Sequence, residues 1–160
     1  MQVIRNIILI VAAVLTAACT VDKQCRTTYN VCMQVVFRAD SLQADSTYAT
    51  YAVWDSITVQ GFGRDSVLYD NRKGINTLQL PLRPDTNMTA YCLTYHDRTD
   101  TLYITHNNDI QYVSLACGEV IYHTIESFRA TGTWIDSIAM MDSTIQATGK
   151  DNIRLIAHEP

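Results

Sequence analysis

A chain of 160 residues with a formal charge of −4 is long enough for one ordinary domain with a proper core and needs no second one. Its 12 Lys and Arg form no basic run longer than Arg72-Lys73, which excludes nucleic acid as a partner for want of an electrostatic footprint. Abundant Thr, Tyr, Val and Ile, with Glu only at 119, 126 and 159, give the composition of a β protein and leave no Ala-Glu-Lys-Leu window for a helix.

The first stretch is an address. Arg5 supplies a positive start, Ile7 to Leu15 is unbroken and apolar, and Thr16-Ala17-Ala18-Cys19 closes it with small residues and a cysteine, the order of a bacterial lipoprotein signal. The pattern predicts removal of residues 1–18 and acylation of Cys19, whose two or three chains, at ~0.8 kcal/mol per buried methylene, would hold the protein to a membrane. One departure is that Leu15 stands four before the cysteine, where the usual signal has its leucine three before. An ordinary secretory signal is the alternative; a transmembrane anchor needs roughly 20 apolar residues, more than Ile7 to Ala18 supplies. Residues 19–26 then form a tether, and 27–160 a single domain.

Tyr29 to Arg38 alternates, with Tyr29, Val31, Met33, Val35 and Phe37 on one face, and predicts the first strand. A polar loop is expected over 39–46, an extended segment over 48–54 and a strand over 56–60 that ends at Gly61-Phe62-Gly63. That Gly-x-Gly lacks the third glycine and following helix of a phosphate cradle and reads as a turn. A short strand over 66–69 is followed by the turn Asp70 to Gly74. Thr77 to Leu82 puts Leu78, Leu80 and Leu82 inward, and Pro81, which cannot donate to a ladder, places that strand at an edge or ends it there. Strands follow over 88–96 and 101–106, a turn at His106 to Asp109, then strands over 110–116, 120–128, 134–145 (bent) and 153–158. Roughly ten short strands with turns every 8 to 12 residues predict an all-β fold, an antiparallel Ig-like sandwich, with a β-barrel as the alternative.

If Cys19 carries lipid, Cys25, Cys32, Cys92 and Cys117 remain, an even number suited to an oxidising compartment, with three possible connectivities. No Cys-x-x-Cys occurs, and His96, His106, His123 and His158 have no ligand spacing with the thiols, so neither a metal site nor a cofactor is expected. Seven Asp-Ser/Thr pairs precede Leu, Thr, Ile or Val; their hydroxyls are Ser41, Ser46, Ser56, Ser66, Thr101, Ser137 and Ser143. They resemble the O-glycosylation acceptor of Bacteroidetes, and equally form Asx turns at strand entrances. Ser41 and Ser46, in the expected loop, are the leading acceptors.

Cys25, Thr58-Val59-Gln60-Gly61, Leu80-Pro81-Leu82, Asp100-Thr101-Leu102 and above all Tyr112-Val113-Ser114-Leu115-Ala116-Cys117-Gly118 resemble a family of small Bacteroidetes lipoproteins of unknown function, DUF6452. The resemblance implies a cell-envelope lipoprotein and singles out Cys25 and Cys117, which also stand at expected strand ends, as a disulfide. Cys32 and Cys92 are then a possible second pair. It brings no catalytic residues, and the chain has no Gly-x-Ser-x-Gly or Ser-x-x-Lys motif. The expected function is therefore a non-catalytic, lipid-anchored module that contacts another envelope protein or a glycan. Alternatives are a carrier enclosing a small apolar ligand and, less favoured, an envelope hydrolase. The expected seat is the outer membrane, facing the periplasm rather than the cell surface, because Thr20-Val21-Asp22-Lys23 carries no acidic run.

Overall fold

The computed structural model describes residues 31–157 apart from 44, 45, 52, 116 and 148, and gives the backbone alone for the strand residues between 39 and 51. The signal, Cys19, the tether and Cys25 lie outside the described residues. Within them the chain is all strand: β1 (Met33–Gln43), β2 (Ser46–Tyr51), β3 (Ile57–Gly61), β4 (Val67–Arg72), β5 (Thr77–Leu80), β6 (Met88–Tyr95), β7 (Arg98–Ser114), β8 (Gly118–Ala130), β9 (Ile135–Met140), β10 (Thr144–Ile145) and β11 (Asp151–Ala157).

Two sheets form. One runs β2-β1-β11-β9, with β5 paired to the first half of β1; the other runs β10-β8-β7-β6-β3-β4. The expected all-β, two-sheet architecture is present, but the first sheet is mixed: β1 and β11 pair in parallel, Val35 with Ile153 and Phe37 with Leu155. No hairpin can make such a pair, so it unites the first and last described strands across the length of the domain. Alternation explains what the sheets bury. Met33, Val35, Phe37, Leu78, Leu80, Ile153 and Leu155 from one sheet meet Ile57, Val59, Leu93, Leu102 and Ile104 from the other, all fully buried. Trp54 closes one end of this core, with its ring edge-on to Tyr95 at 4.5 Å and its centroid 5.3 Å from that of Trp134.

Three expected connections are wholly or partly strand instead, one of them the turn placed over 70–74, into which β4 runs as far as Arg72. β1 continues to Gln43 and pairs with β2 through Ser41↔Tyr48 and Gln43↔Ser46, so residues 39–43 and 46 of the expected loop are strand, Ser41 and Ser46 among them. The turn placed at His106 to Asp109 is absent, because β7 runs unbroken through it. Asn and Asp favour turns by bonding their own backbone; here Asn108 spends its amide on a different loop. As expected from Pro81, β5 ends at Leu80 and pairs with β1 alone.

Candidate functional site

The β3–β4 turn, the segment 81–85 and the start of β6 enclose an open cleft of ≈ 440 Å³. Phe62, Leu68 and Met88, roughly half exposed, line it with Pro81, Pro84 and Tyr91. Arg64 stands on one wall and Arg83 on the other. Arg83 is matched by Asp85 through a two-point ion pair of 3.0 and 2.5 Å; among the described residues Arg64 has no such pairing. The cleft thus offers apolar side chains beside two arginines that share one carboxylate, Asp85, which Arg83 holds directly and whose pKa the charge of Arg64 also lowers.

The wall at 83–86 has no regular structure, and side chains fix it. Strand alternation puts Leu102, Ile104, His106 and Asn108 on the inward face of β7, and Asn108 lies across from His123 on β8. The amide of Asn108 donates to the carbonyls of Thr86 at 2.8 Å, Pro84 at 3.0 Å and Arg83 at 3.4 Å. Carbonyls only accept, which fixes the orientation of the amide. Its oxygen therefore faces the imidazoles, with His106 Nδ1 at 2.8 Å and His123 Nδ1 at 2.7 Å. Each Nδ1 must then carry a proton, and in the neutral ring His106 Nε2 accepts, from the Thr89 hydroxyl at 2.9 Å. Thr89 Oγ1 in turn accepts the Arg83 N–H at 3.0 Å, while His106 N donates to Asn87 at 2.9 Å.

Both imidazoles are neutral in this arrangement. Burial pushes His106 below its ordinary pKa despite Asn108 and the charge of Glu126, and burial together with its neighbour pushes His123 down to about 4. The rings lie nearly perpendicular with centroids 5.3 Å apart, a separation at which two charges would repel. On the cleft floor, burial and then the charge of Cys32 push Tyr91 up to about 12, and its hydroxyl donates to the Pro81 carbonyl.

Thr89, His106 and Asn108 stand in the order of nucleophile, base and orienter, the arrangement a hydrolase needs. The chemistry they can perform is limited. Thr89 is only 4% exposed and its hydroxyl is tied at both ends, and Asn108 holds two imidazoles and a loop rather than one base. The arrangement is a structural clamp behind a binding surface.

Asp100 has a comparable duty. It is fully buried and accepts from Thr131 Oγ1 and from the backbone N–H groups of Thr133, Trp134 and Ile135 at 2.7 to 2.8 Å. Burial alone would raise its pKa, but these donors hold it down at about 2.

The expected acceptor hydroxyls are scattered rather than gathered. Ser66 and Ser137 are exposed, while Ser56, Thr101 and Ser143 are half-buried. Asp142 accepts the Thr144 N–H at 2.9 Å, the Asx turn that was the alternative reading at Ser143. Cys32 precedes β1 and Cys92 lies on β6, in different sheets, and both stand as thiols rather than as the second bridge. Cys117 is disulfide-bonded. Sequence reasoning missed the clamp because it placed His106 to Asp109 in a turn; carrying the parity of Leu102 and Ile104 two steps further would have found it.

A model of a family of unknown function (DUF6452) matches residues 56–157, which include the whole cleft and clamp. No curated protein and no solved structure matches the chain.

Proposed function

From the premise that the chain belongs to that family of unknown function, we propose that it is a lipid-anchored cell-envelope protein whose single domain binds another envelope molecule, a protein or a glycan, through the cleft beside Arg64. The cleft itself carries this reading: ≈ 440 Å³ of open space lined by apolar side chains and by two arginines against one carboxylate, walled by a loop that the fold goes to some length to fix. Apolar walls with a few placed polar groups are what binding clefts have in common. A carrier is less well supported, since the space between the sheets is filled by fully buried side chains such as Phe37, Met33 and Leu102. The lipid anchor rests on the signal ending at Cys19.

The test is to isolate the protein from native membranes as wild type, Leu68→Asp and Met88→Asp, both half-exposed positions at which the fold should survive. Intact mass should show loss of residues 1–18 and added lipid. A small molecule, glycan or peptide recovered with wild type and absent from both variants supports the reading. Equal recovery by all three, or a mature form that begins elsewhere without lipid, would overturn it.

A further inference from the structure

We propose that the cleft is under proton control: His106, His123 and Asn108 form a latch that holds segment 83–86 closed while both imidazoles are neutral and releases it when they take up protons. This rests on the reading of the cleft as the binding surface only for its consequence, since the movement of the segment can be measured with no ligand present. The observation behind it is the sharing of a single group. One amide oxygen receives both Nδ1 protons at 2.7 and 2.8 Å, and the same amide is the side chain that grips the carbonyls of residues 83, 84 and 86.

Protonation cannot be absorbed in place. His106 Nε2 accepts the hydroxyl proton of Thr89; once it bears its own proton, Thr89 must turn its O–H away toward no described acceptor. Thr89 also anchors the Arg83 N–H, so the disturbance at Nε2 reaches the segment through that attachment, while the Nδ1–H bonds to Asn108 now carry the buried charge. His106 is fully buried and His123 nearly so, and a charge on either faces the other ring. Among the described residues, Glu126 is the charge that acts on His106, and the segment itself carries Arg83 and Asp85, the latter also under the charge of Arg64. Glu126 on β8 favours protonation and is held by Asn107 at 2.6 Å, whereas Arg83 and Asp85 in the segment neutralise each other. The β7 and β6 neighbours, Asn108 and Thr89, carry no charge. Swinging the segment out lets water reach both imidazoles, and each pKa unit regained shifts the opening equilibrium tenfold toward the open form at low pH. For His123, from about 4 toward the ordinary 6.5, the limit is on the order of a hundredfold.

The experiment is NMR of the folded domain from pH 7.5 to 4, following the imidazole nitrogens and the backbone amides of residues 83–88. At pH 7.5 both rings should show the Nδ1–H tautomer. On acidification the amides of 83–88 should shift or broaden together with the imidazoles, below the ordinary histidine range. In His106→Gln/His123→Gln, where each amide N–H can still donate to Asn108, the segment should stay closed throughout. Should that variant not fold, Asn108→Ala in its place should leave 83–88 open already at pH 7.5. The proposal is overturned if the rings are Nε2–H tautomers, if they titrate while 83–88 stays fixed, or if the Gln variant opens as the wild type does. Failure to find a ligand would count against the binding reading and leave these outcomes unchanged.

Discussion

Single carboxylates and imidazoles carry much of the strain of acid in this domain, and they do so in separate windows. Asp100 is held at about 2 against an ordinary 3.8, so its contribution is complete above 3.8 and is lost as pH falls toward 2, about 2 kcal/mol in all. His123 is depressed to about 4. The unfolded chain therefore binds its proton first, and stability falls between the ordinary 6.5 and 4, by about 3 kcal/mol, then levels. Denaturant titrations at steps of pH should show two losses separated near pH 4; removal of both histidines should erase only the upper one. Asp100→Ala strips the acceptor from the buried N–H groups of Trp134 and Ile135 and from that of Thr133 and should cost ~3 to 5 kcal/mol, read as a lower urea midpoint. Among the acceptor hydroxyls whose side chains are described, exposure favours Ser66 and Ser137. Glycopeptide mapping from the native host should find sugar at Ser66 or Ser137; unmodified peptides at all seven Asp-Ser/Thr sites would leave only their turn-forming role.

Among the elements, short strands depend on side chains that reach across to their neighbours. β10 is two residues long and is fastened by Asn152, whose amide donates to the carbonyls of Asp142 at 3.1 Å and Thr144 at 3.0 Å. The Asn152 oxygen accepts the Gln34 N–H at 2.9 Å, so one side chain on β11 joins β10 and β1 beside the register shift between Gln34 and Val35. A buried amide serving three backbone groups leaves them all unpaired when removed. Asn152→Ala should destabilise by ~2 to 4 kcal/mol, and hydrogen exchange should show the loss at 142–145 and at Gln34 before the rest. A similar device on β7 is the bulge opposite Thr105 and His106, where Glu126 is the extra residue on β8. It lets β7 keep its parity, so that His106 and Asn108 face inward after Leu102 and Ile104.

For the whole molecule, closure is the dominant event. β1 and β11 pair in parallel, so the sheet that holds Phe37 and Leu155 cannot be completed until the end of the domain has been made. High sequence separation of this kind slows folding and gives a covalent tie across the domain particular value. We propose that Cys117 is joined to Cys25, since Cys32 and Cys92 stand as thiols and the proposed lipid anchor takes Cys19. Closing so long a loop contributes ~4 to 5 kcal/mol on the chain-entropy picture, a large share of a domain's ~5 to 15. Peptide mapping without reductant should recover Cys25 linked to Cys117, with Cys32 and Cys92 open to alkylation in the unfolded chain. A Cys25–Cys32 link, or Cys117 as a thiol in oxidised native protein, would defeat the assignment.

The sequence by itself determined the all-β class, most strand positions, the inward sets such as Leu78, Leu80 and Leu82, and the edge character imposed by Pro81. These follow from local rules: side chains alternate with period two, and proline lacks a donor. The tertiary structure alone decided the parallel joining of β1 to β11, the burial of Asp100 under residues 131–135, and the meeting of Thr89, His106, Asn108 and His123 behind the cleft. Local rules read the stretch from His106 to Asp109 as a turn because Asn and Asp bond readily to their own backbone. The strand wins there because its inward side chains find partners from segments 15 to 25 residues away, and no pattern within the stretch records how far away an acceptor will be.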